Sequence, residues 1–363
     1  MPKAIVLHEY GDAEVLRLAE VQVGAPGPEE ILIRQTAIGV HFHDIYVRSG
    51  LYKTLDLPGT PGLEAAGVVE AVGPGAAAFK IGDRIVYVTS GYGAYATHRV
   101  LPGERAVKVP DTLSDALVAT NFSRLLTVQM LIDKVTALRP EHTILVTAAS
   151  GGVGRLLCQA ARAAGARVIG SASTPEKAAR AKDYGCAHAL TYDQDDFAEE
   201  IHDLTQGNGV DIVYDSVGAK TFQSSLAALR LRGHLVNFGQ SSGAVDPVAL
   251  SALAAKSLSI TRPILFHYIN DPAEYQAMSA AAFATFDAGR LVLPDLEGVD
   301  LANAAAAHRR LETGQGGGSL PDYGSSGGGF GGGESSGGGY GGGPGYGGGS
   351  GGGFGGPQGG GGA

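Results

Sequence analysis

The chain has 363 residues, a formal net charge of -9 and 17% charged residues. A net negative charge argues against the broad cationic surface that phosphate backbones require, so no nucleic-acid partner is expected. No window approaches the ~18 uncharged apolar residues of a membrane span, so no membrane partner is expected either.

The last 48 residues, 316 to 363, hold 29 of the 58 glycines. About 315 residues remain to fold, a length that predicts two domains. The start, Met1-Pro2-Lys3 followed by Ala4-Ile5-Val6-Leu7, lacks the apolar stretch of a secretory signal. Cys158 and Cys186 are the only cysteines, which fits a reducing compartment, so a cytoplasmic protein is expected.

Residues 1–122 read as short strands between turn signals. Ala4–Glu9, Ile31–Ala37, Ala66–Val72, Asp83–Val88 and Ala94–Val100 are separated by Pro26-Gly27-Pro28, Pro58-Gly59, Gly73-Pro74-Gly75 and Pro102-Gly103. An all-β, barrel-like first domain is predicted. Over 123–265 buried apolar strands alternate with helices: Thr143–Ala148, Ala166–Ser171, Asp211–Asp215 and Leu235–Gly239. Strands apolar on both faces predict a parallel sheet, so the fold class is α/β. Residues 266–315, with helices over Pro272–Gly289 and Leu301–Leu311, are expected to return to the first domain.

The tail from Gly316 is built of glycine runs punctuated by Tyr323, Phe330, Tyr340, Tyr346 and Phe354. It holds too little apolar surface to offset its ordering entropy and is expected to be a disordered Gly/Ser/aromatic appendage. Spaced aromatics could support self-association, but the absence of Arg argues against RNA binding.

The strand Thr143–Ala149 runs into Ser150-Gly151-Gly152-Val153-Gly154 and then a helical stretch from Arg155. That order is the strand, glycine turn and helix start that cradle a pyrophosphate, although Ala149 stands where the usual fingerprint begins with Gly. At the end of the next strand no Asp or Glu awaits a ribose hydroxyl. Ser171, Ser173, Lys177 and Arg180 stand there instead and suit a 2′-phosphate, which makes NADPH the expected cofactor.

These residues resemble the quinone oxidoreductase, zeta-crystallin-like branch of the medium-chain dehydrogenase/reductase superfamily. The likeness covers about 1–312 and lies in Gly39–Tyr52, Pro61–Gly67, Gly82–Val86, Ala149–Gly154, Val213–Gly218 and Thr261–Pro263. It implies a GroES-like β-barrel catalytic domain beside a Rossmann doubly wound sheet, and a homodimer. It also implies Lys177 and Tyr192 at the 2′-phosphate, with Ser173 assisting. Ser216, Val217, Phe238, Gly239 and Ser241 would line the dinucleotide, with Thr127, Tyr46 and Tyr52 near the nicotinamide and substrate. Three positions depart from the pattern. His41 stands where Asn is usual, and Arg124-Leu125 replaces Lys-Gly, so that Leu125 is expected to narrow the nicotinamide pocket. The last strand, after Gly318-Ser319-Leu320, is expected to be shortened.

Zinc members of the superfamily hold their metal at positions that here carry His41, Leu63 and Ser123. An aliphatic side chain has no lone pair to donate, so no metal is expected. Without a Lewis acid, quinones suit the site, because a conjugated acceptor spreads incoming charge and hydrogen bonds from Tyr46, Tyr52 or His41 can stabilise it. The sequence therefore predicts a zinc-independent NADPH:quinone reductase. Enone or enoyl double-bond reduction and a crystallin-like or tail-driven assembly role are the alternatives.

Overall fold

The computed structural model describes residues 1–192, 196–287, 291–293, 297–313 and 329–332. In the first half, Glu30–Val40 alternates buried and half-buried positions, with Ile31, Ile33, Gln35 and Ala37 turned inward. That period of two lets one face close a barrel core. The strand pairs antiparallel with Glu64–Val72 and His98–Pro102, and Glu64–Val72 pairs in turn with Arg84–Val88. Ile5, Ile31, Ile33, Val69, Ile85 and Tyr87 fill the interior, each at 0% exposure. A polar side chain drawn in among them, Gln35, donates to the carbonyls of Ala94 and Ala96 and accepts from the Tyr87 hydroxyl at 2.5 Å.

The second half is a six-stranded parallel sheet in the order His188–Thr191, Arg167–Ala172, Thr143–Val146, Val210–Asp215, Leu229–Asn237, Ser259–Thr261. The chain order reverses beside Thr143–Val146, and a crevice opens at the carboxyl ends of strands at such a switch point. All nine expected strands exist, with shifted ends. The largest shifts are at Ala94–Val100, found as His98–Pro102, and at Leu235–Gly239, which already begins at Leu229.

The expected boundary at 122 falls inside a helix, Asp115–Gln129, whose Ser114 cap accepts the Leu117 amide at 3.2 Å. This helix joins the two halves, since Phe122 stacks on Phe283 of the helix Pro272–Asp287 at 5.4 Å. That later helix also reaches the barrel, where the Val88 N–H donates to Tyr275 Oη at 3.1 Å. Residues 301–312 return to the barrel core through Leu301, Ala304 and Leu311. Leu125 corrects the sequence reading: it is 3% exposed in the apolar core, because a helix turns its side chains about 100° per residue and Arg124 takes the place bordering the cavity.

Within the tail, Gly329–Gly332 forms a strand, parallel to Ala37–Val40 and antiparallel to Glu297–Asp300. Backbone hydrogen bonds alone can seat glycine beside an open strand edge. The expectation of disorder for the rest of the tail lies outside the described residues.

Candidate functional site

One cavity of about 620 Å3 lies between the halves. On the sheet side, the helix Gly152–Ala163 begins with Gly151 as its cap, with no capping side chain and no acid in its first turn. Its first amides and the positive end of its dipole therefore face the cavity without an internal anion. Gly151, Gly152, Val153 and Gly154 all line the wall. A Cβ on Gly154 would lie 2.1 Å from the Ala148 carbonyl, so only glycine lets this helix approach the strand so closely. Ala148 itself takes a left-handed φ of 50°.

Ser216, Phe238, Gly239 and Ser241 continue the wall from the ends of the two following strands. Their loop is held by Asp215, whose Oδ1 accepts from Val217 N–H at 2.8 Å, Thr221 Oγ1 at 2.8 Å and Thr147 Oγ1 at 3.0 Å. Burial raises the Asp215 pKa, and these donors oppose the rise. Val217 thus supports the loop from within the core, at 1% exposure, and does not line the cavity. Ser150, at 3% exposure, likewise sits behind the turn.

Ser173 and Lys177 stand at the carboxyl end of Arg167–Ala172, where Thr174 caps the helix Pro175–Asp183. Tyr192 lies alongside, its N–H donating to the Ala172 carbonyl at 3.2 Å. These three are close in the fold but outside the cavity wall. Ser171 is wholly buried, which removes it from the group the sequence had offered for a 2′-phosphate.

On the barrel side the wall carries Tyr46, Tyr52 and His41, with Thr127 on the connecting helix. Tyr46 and Tyr52 meet edge to face at 5.1 Å. Tyr52 Oη accepts from Gln240 Nε2 at 2.9 Å and from Arg262 Nη2 at 3.4 Å, both carried by the other half. Thr127 Oγ1 donates to the Ser123 carbonyl at 2.9 Å.

His41 opens the helix Phe42–Ser49 and its Nε2 lies 2.5 Å from Glu64 Oε2. The approach is close in distance without the alignment of a hydrogen bond, so it acts as an electrostatic contact. Glu64 is fully buried and accepts from Ser123 N–H at 2.8 Å and Ser123 Oγ at 2.5 Å. The sequence reading had marked Ser123 only as a failed metal ligand and Glu64 only as part of a motif. Nothing local joins positions 41, 64 and 123. Tyr92 and Thr54 were missed as well: His43 Nε2 is 3.2 Å from Tyr92 Oη, which also bonds Thr54. Burial, helped by the charge of His41, lowers the His43 pKa to about 4, so its ring is neutral near pH 7. Among the described residues no three His, Cys, Asp or Glu side chains converge as metal ligands do.

Comparison with known proteins agrees with this division of the chain. Residues 27–111 match the family described as alcohol dehydrogenase GroES-like domain, and 152–284 match zinc-binding dehydrogenase, a stretch that excludes positions 41, 63 and 123. A quinone oxidoreductase of Pseudomonas aeruginosa is 41% identical over 312 residues, covering 86% of this chain and 96% of that protein. A 2-haloacrylate reductase of Burkholderia is 40% identical over 327 residues, covering 88% and 98%. The crystal structure of Escherichia coli quinone oxidoreductase complexed with NADPH superposes with a TM-score of 0.84 at 36% identity, covering 90% of this chain and 99% of that one. On identities of about 40% over nearly the full length of such relatives, the chain belongs to the quinone oxidoreductase branch of the medium-chain dehydrogenase/reductase superfamily.

Proposed function

We propose that this protein is an NADPH-dependent quinone reductase that works without zinc. The observation carrying this reading is that the glycine turn 151–154 and the trio Tyr46, Tyr52 and His41 face each other across one cavity. The residues fit a dinucleotide: the uncapped helix start at Gly152 offers free amides to a diphosphate, and Gly154 and Gly239 keep the backbone close. Ser173, Lys177 and Tyr192 would hold the 2′-phosphate, and the NADPH complex of the Escherichia coli relative supports that choice. When bound, NADPH supplies the hydride or electron pair.

The chain's own residues do the rest. Thr127, Ser216, Phe238 and Ser241 orient the nicotinamide end, with Val217 and Ser150 supporting their loops from behind. Leu63, Val88 and Phe266 form apolar wall that excludes water and strengthens each polar contact left inside. Tyr46, Tyr52 and His41 present donors toward the oxygen of a conjugated acceptor, which gathers negative charge as it is reduced. Leu63, between His41 and Ser123 in the cavity wall, has no lone pair for zinc.

A homodimer and a cytoplasmic location belong to the same reading. Ser259–Thr261 ends the parallel sheet with one edge unpaired among the described residues, and the thiols of Cys158 and Cys186 are free and buried. The test is nicotinamide oxidation with a panel of benzo- and naphthoquinones. Turnover with NADPH well above that with NADH is expected; no consumption with any quinone rejects the reading. The 2-haloacrylate reductase at 40% identity favours a second reading, reduction of an activated carbon–carbon double bond, which the same assay resolves with an enone panel.

A further inference from the structure

Arg124 lines the cavity on the helix Asp115–Gln129 and is only 5% exposed. Among the described residues its guanidinium makes no hydrogen bond and no ion pair, and Nη1 is completely enclosed. A buried charge is costly unless something pairs with it. The carboxylate within electrostatic reach is Glu64, but its oxygens already serve Ser123 at 2.8 and 2.5 Å and face His41 at 2.5 Å. Arg155, wholly buried on the helix Gly152–Ala163, adds a second positive charge nearby, with its Nη2 donating to Asn121 Oδ1 at 3.3 Å. Burial and then Arg155 lower the Arg124 pKa to about 9, which still leaves it cationic at neutral pH. The carboxylate acting on Arg124 is thus already committed, and Arg124 borders the cavity.

We propose that Arg124 recognises an acceptor by its carboxylate, so that α,β-unsaturated acids are substrates of this cavity. The proposal rests on the NADPH-dependent reductase reading given above. The planar guanidinium fork matches a carboxylate bidentately, which fixes orientation as well as charge. In such an acid a hydride forms a new C–H bond at the β-carbon. The π pair of the double bond moves onto the α-carbon and carboxylate, and the α-carbon then takes a proton from solvent. The acid gains two electrons and two hydrogens overall, and NADPH leaves as NADP+. Arg124 holds the carboxylate where that negative charge gathers, the role a metal fills in other carbonyl chemistry.

An anionic partner could instead be the diphosphate of the cofactor. Position favours the acceptor: Arg124 adjoins Ser123, which with His41 lines the barrel end of the cavity in front of the buried Glu64, whereas the diphosphate already has the helix start at Gly152.

The experiment compares 2-(trifluoromethyl)acrylate with its methyl ester on the full chain, by kcat/KM with NADPH and by calorimetric titration in the presence of NADP+. The wild type should favour the acid by roughly tenfold or more. Arg124→Met should cut that ratio by roughly ten- to a hundredfold, the range for hydrogen bonds to a charged group, while Arg124→Lys keeps part of it. The Kd for NADPH, read by fluorescence, should stay within about twofold. An unchanged acid-to-ester ratio in Arg124→Met overturns the proposal. So does a loss of NADPH affinity with the ratio intact, which assigns the guanidinium to the diphosphate. Should Arg124→Met not fold, equal handling of acid and ester by the wild type is sufficient to overturn it. Calorimetric preference for the acid without any quinone turnover would uphold the carboxylate site and reject the quinone reading; quinone turnover without that preference would do the reverse.

Discussion

Tyr52 on the barrel and Gln240 on the nucleotide half share a hydrogen bond of 2.9 Å across the mouth of the cavity. A side chain expected only to face substrate thus also joins the two halves. A partly buried hydrogen bond of this kind contributes about 0.5–1.5 kcal/mol. Tyr52→Phe and Gln240→Ala should each raise KM for the acceptor several-fold, and the double variant should add little to either single change. Full additivity in a double-mutant cycle on kcat/KM would show that the two residues act separately.

Lys177 stands at the end of the second strand of the sheet beside Ser173 and Tyr192, with no carboxylate in the place that binds a ribose hydroxyl. Lys177→Glu should weaken NADPH binding by roughly tenfold or more, because a charge-assisted contact becomes a repulsion, and leave NADH binding nearly unchanged. Titration of both nucleotides by fluorescence reads this directly. An NADPH affinity equal to that of the wild type removes Lys177 from the 2′-phosphate site.

A Cβ on Gly154 would meet the Ala148 carbonyl at 2.1 Å, and that atom is backbone with nowhere to turn. Gly154→Ala should therefore destabilise the protein by about 1–3 kcal/mol and move the helix start away from the cavity. Both a lower Tm and weaker NADPH binding are expected. A variant that keeps wild-type Tm and affinity contradicts the close approach.

Three buried groups carry large shifts in the acid range. Burial lowers the pKa of His43 from 6.5 to about 4 and that of His308 from 6.5 to about 3, so below pH 6.5 the unfolded chain takes up protons that the folded chain refuses. Each histidine removes about 1.4 kcal/mol of stability per pH unit as pH falls through this window. Asp44 opposes them. Burial raises it from 3.8 to about 6, so between pH 6 and about 4 the folded chain binds its proton first and gains stability on acidification. His43 and His308 against Asp44 leave a net loss of about 1.4 kcal/mol per pH unit between about pH 6 and 4, while Asp215, raised by burial, and His234, lowered by burial, act in opposite directions. Asp44→Asn should roughly double that slope in urea unfolding across a pH series. Stability that is flat or rises toward pH 4 in the wild type contradicts this balance.

Alternation along Ile31–Ala37 and the runs at Thr143–Ala148 and Asp211–Asp215 made both sheets legible, because burial on one face or on two leaves a local mark. The glycine turn was legible too, since close backbone approach demands Gly154 wherever the helix follows the strand. Strand ends were less so: the register of Leu229–Asn237 against Val210–Asp215 shifts between Val210 and Ile212, and no residue type announces such an irregularity. Leu125 was misjudged because one helix can send neighbouring residues to core and cavity alike.

Local chemistry in the chain was enough to indicate the α/β class, the glycine turn between strand and helix, and the family, since each depends on neighbours a few positions apart. The meeting of His41, Glu64 and Ser123, the bond from Tyr52 to Gln240 and the burial of Arg124 without a partner were decided by the fold alone. Charge pairing and desolvation depend on distances of a few ångströms between segments far apart in sequence, and only packing of the finished halves sets those distances.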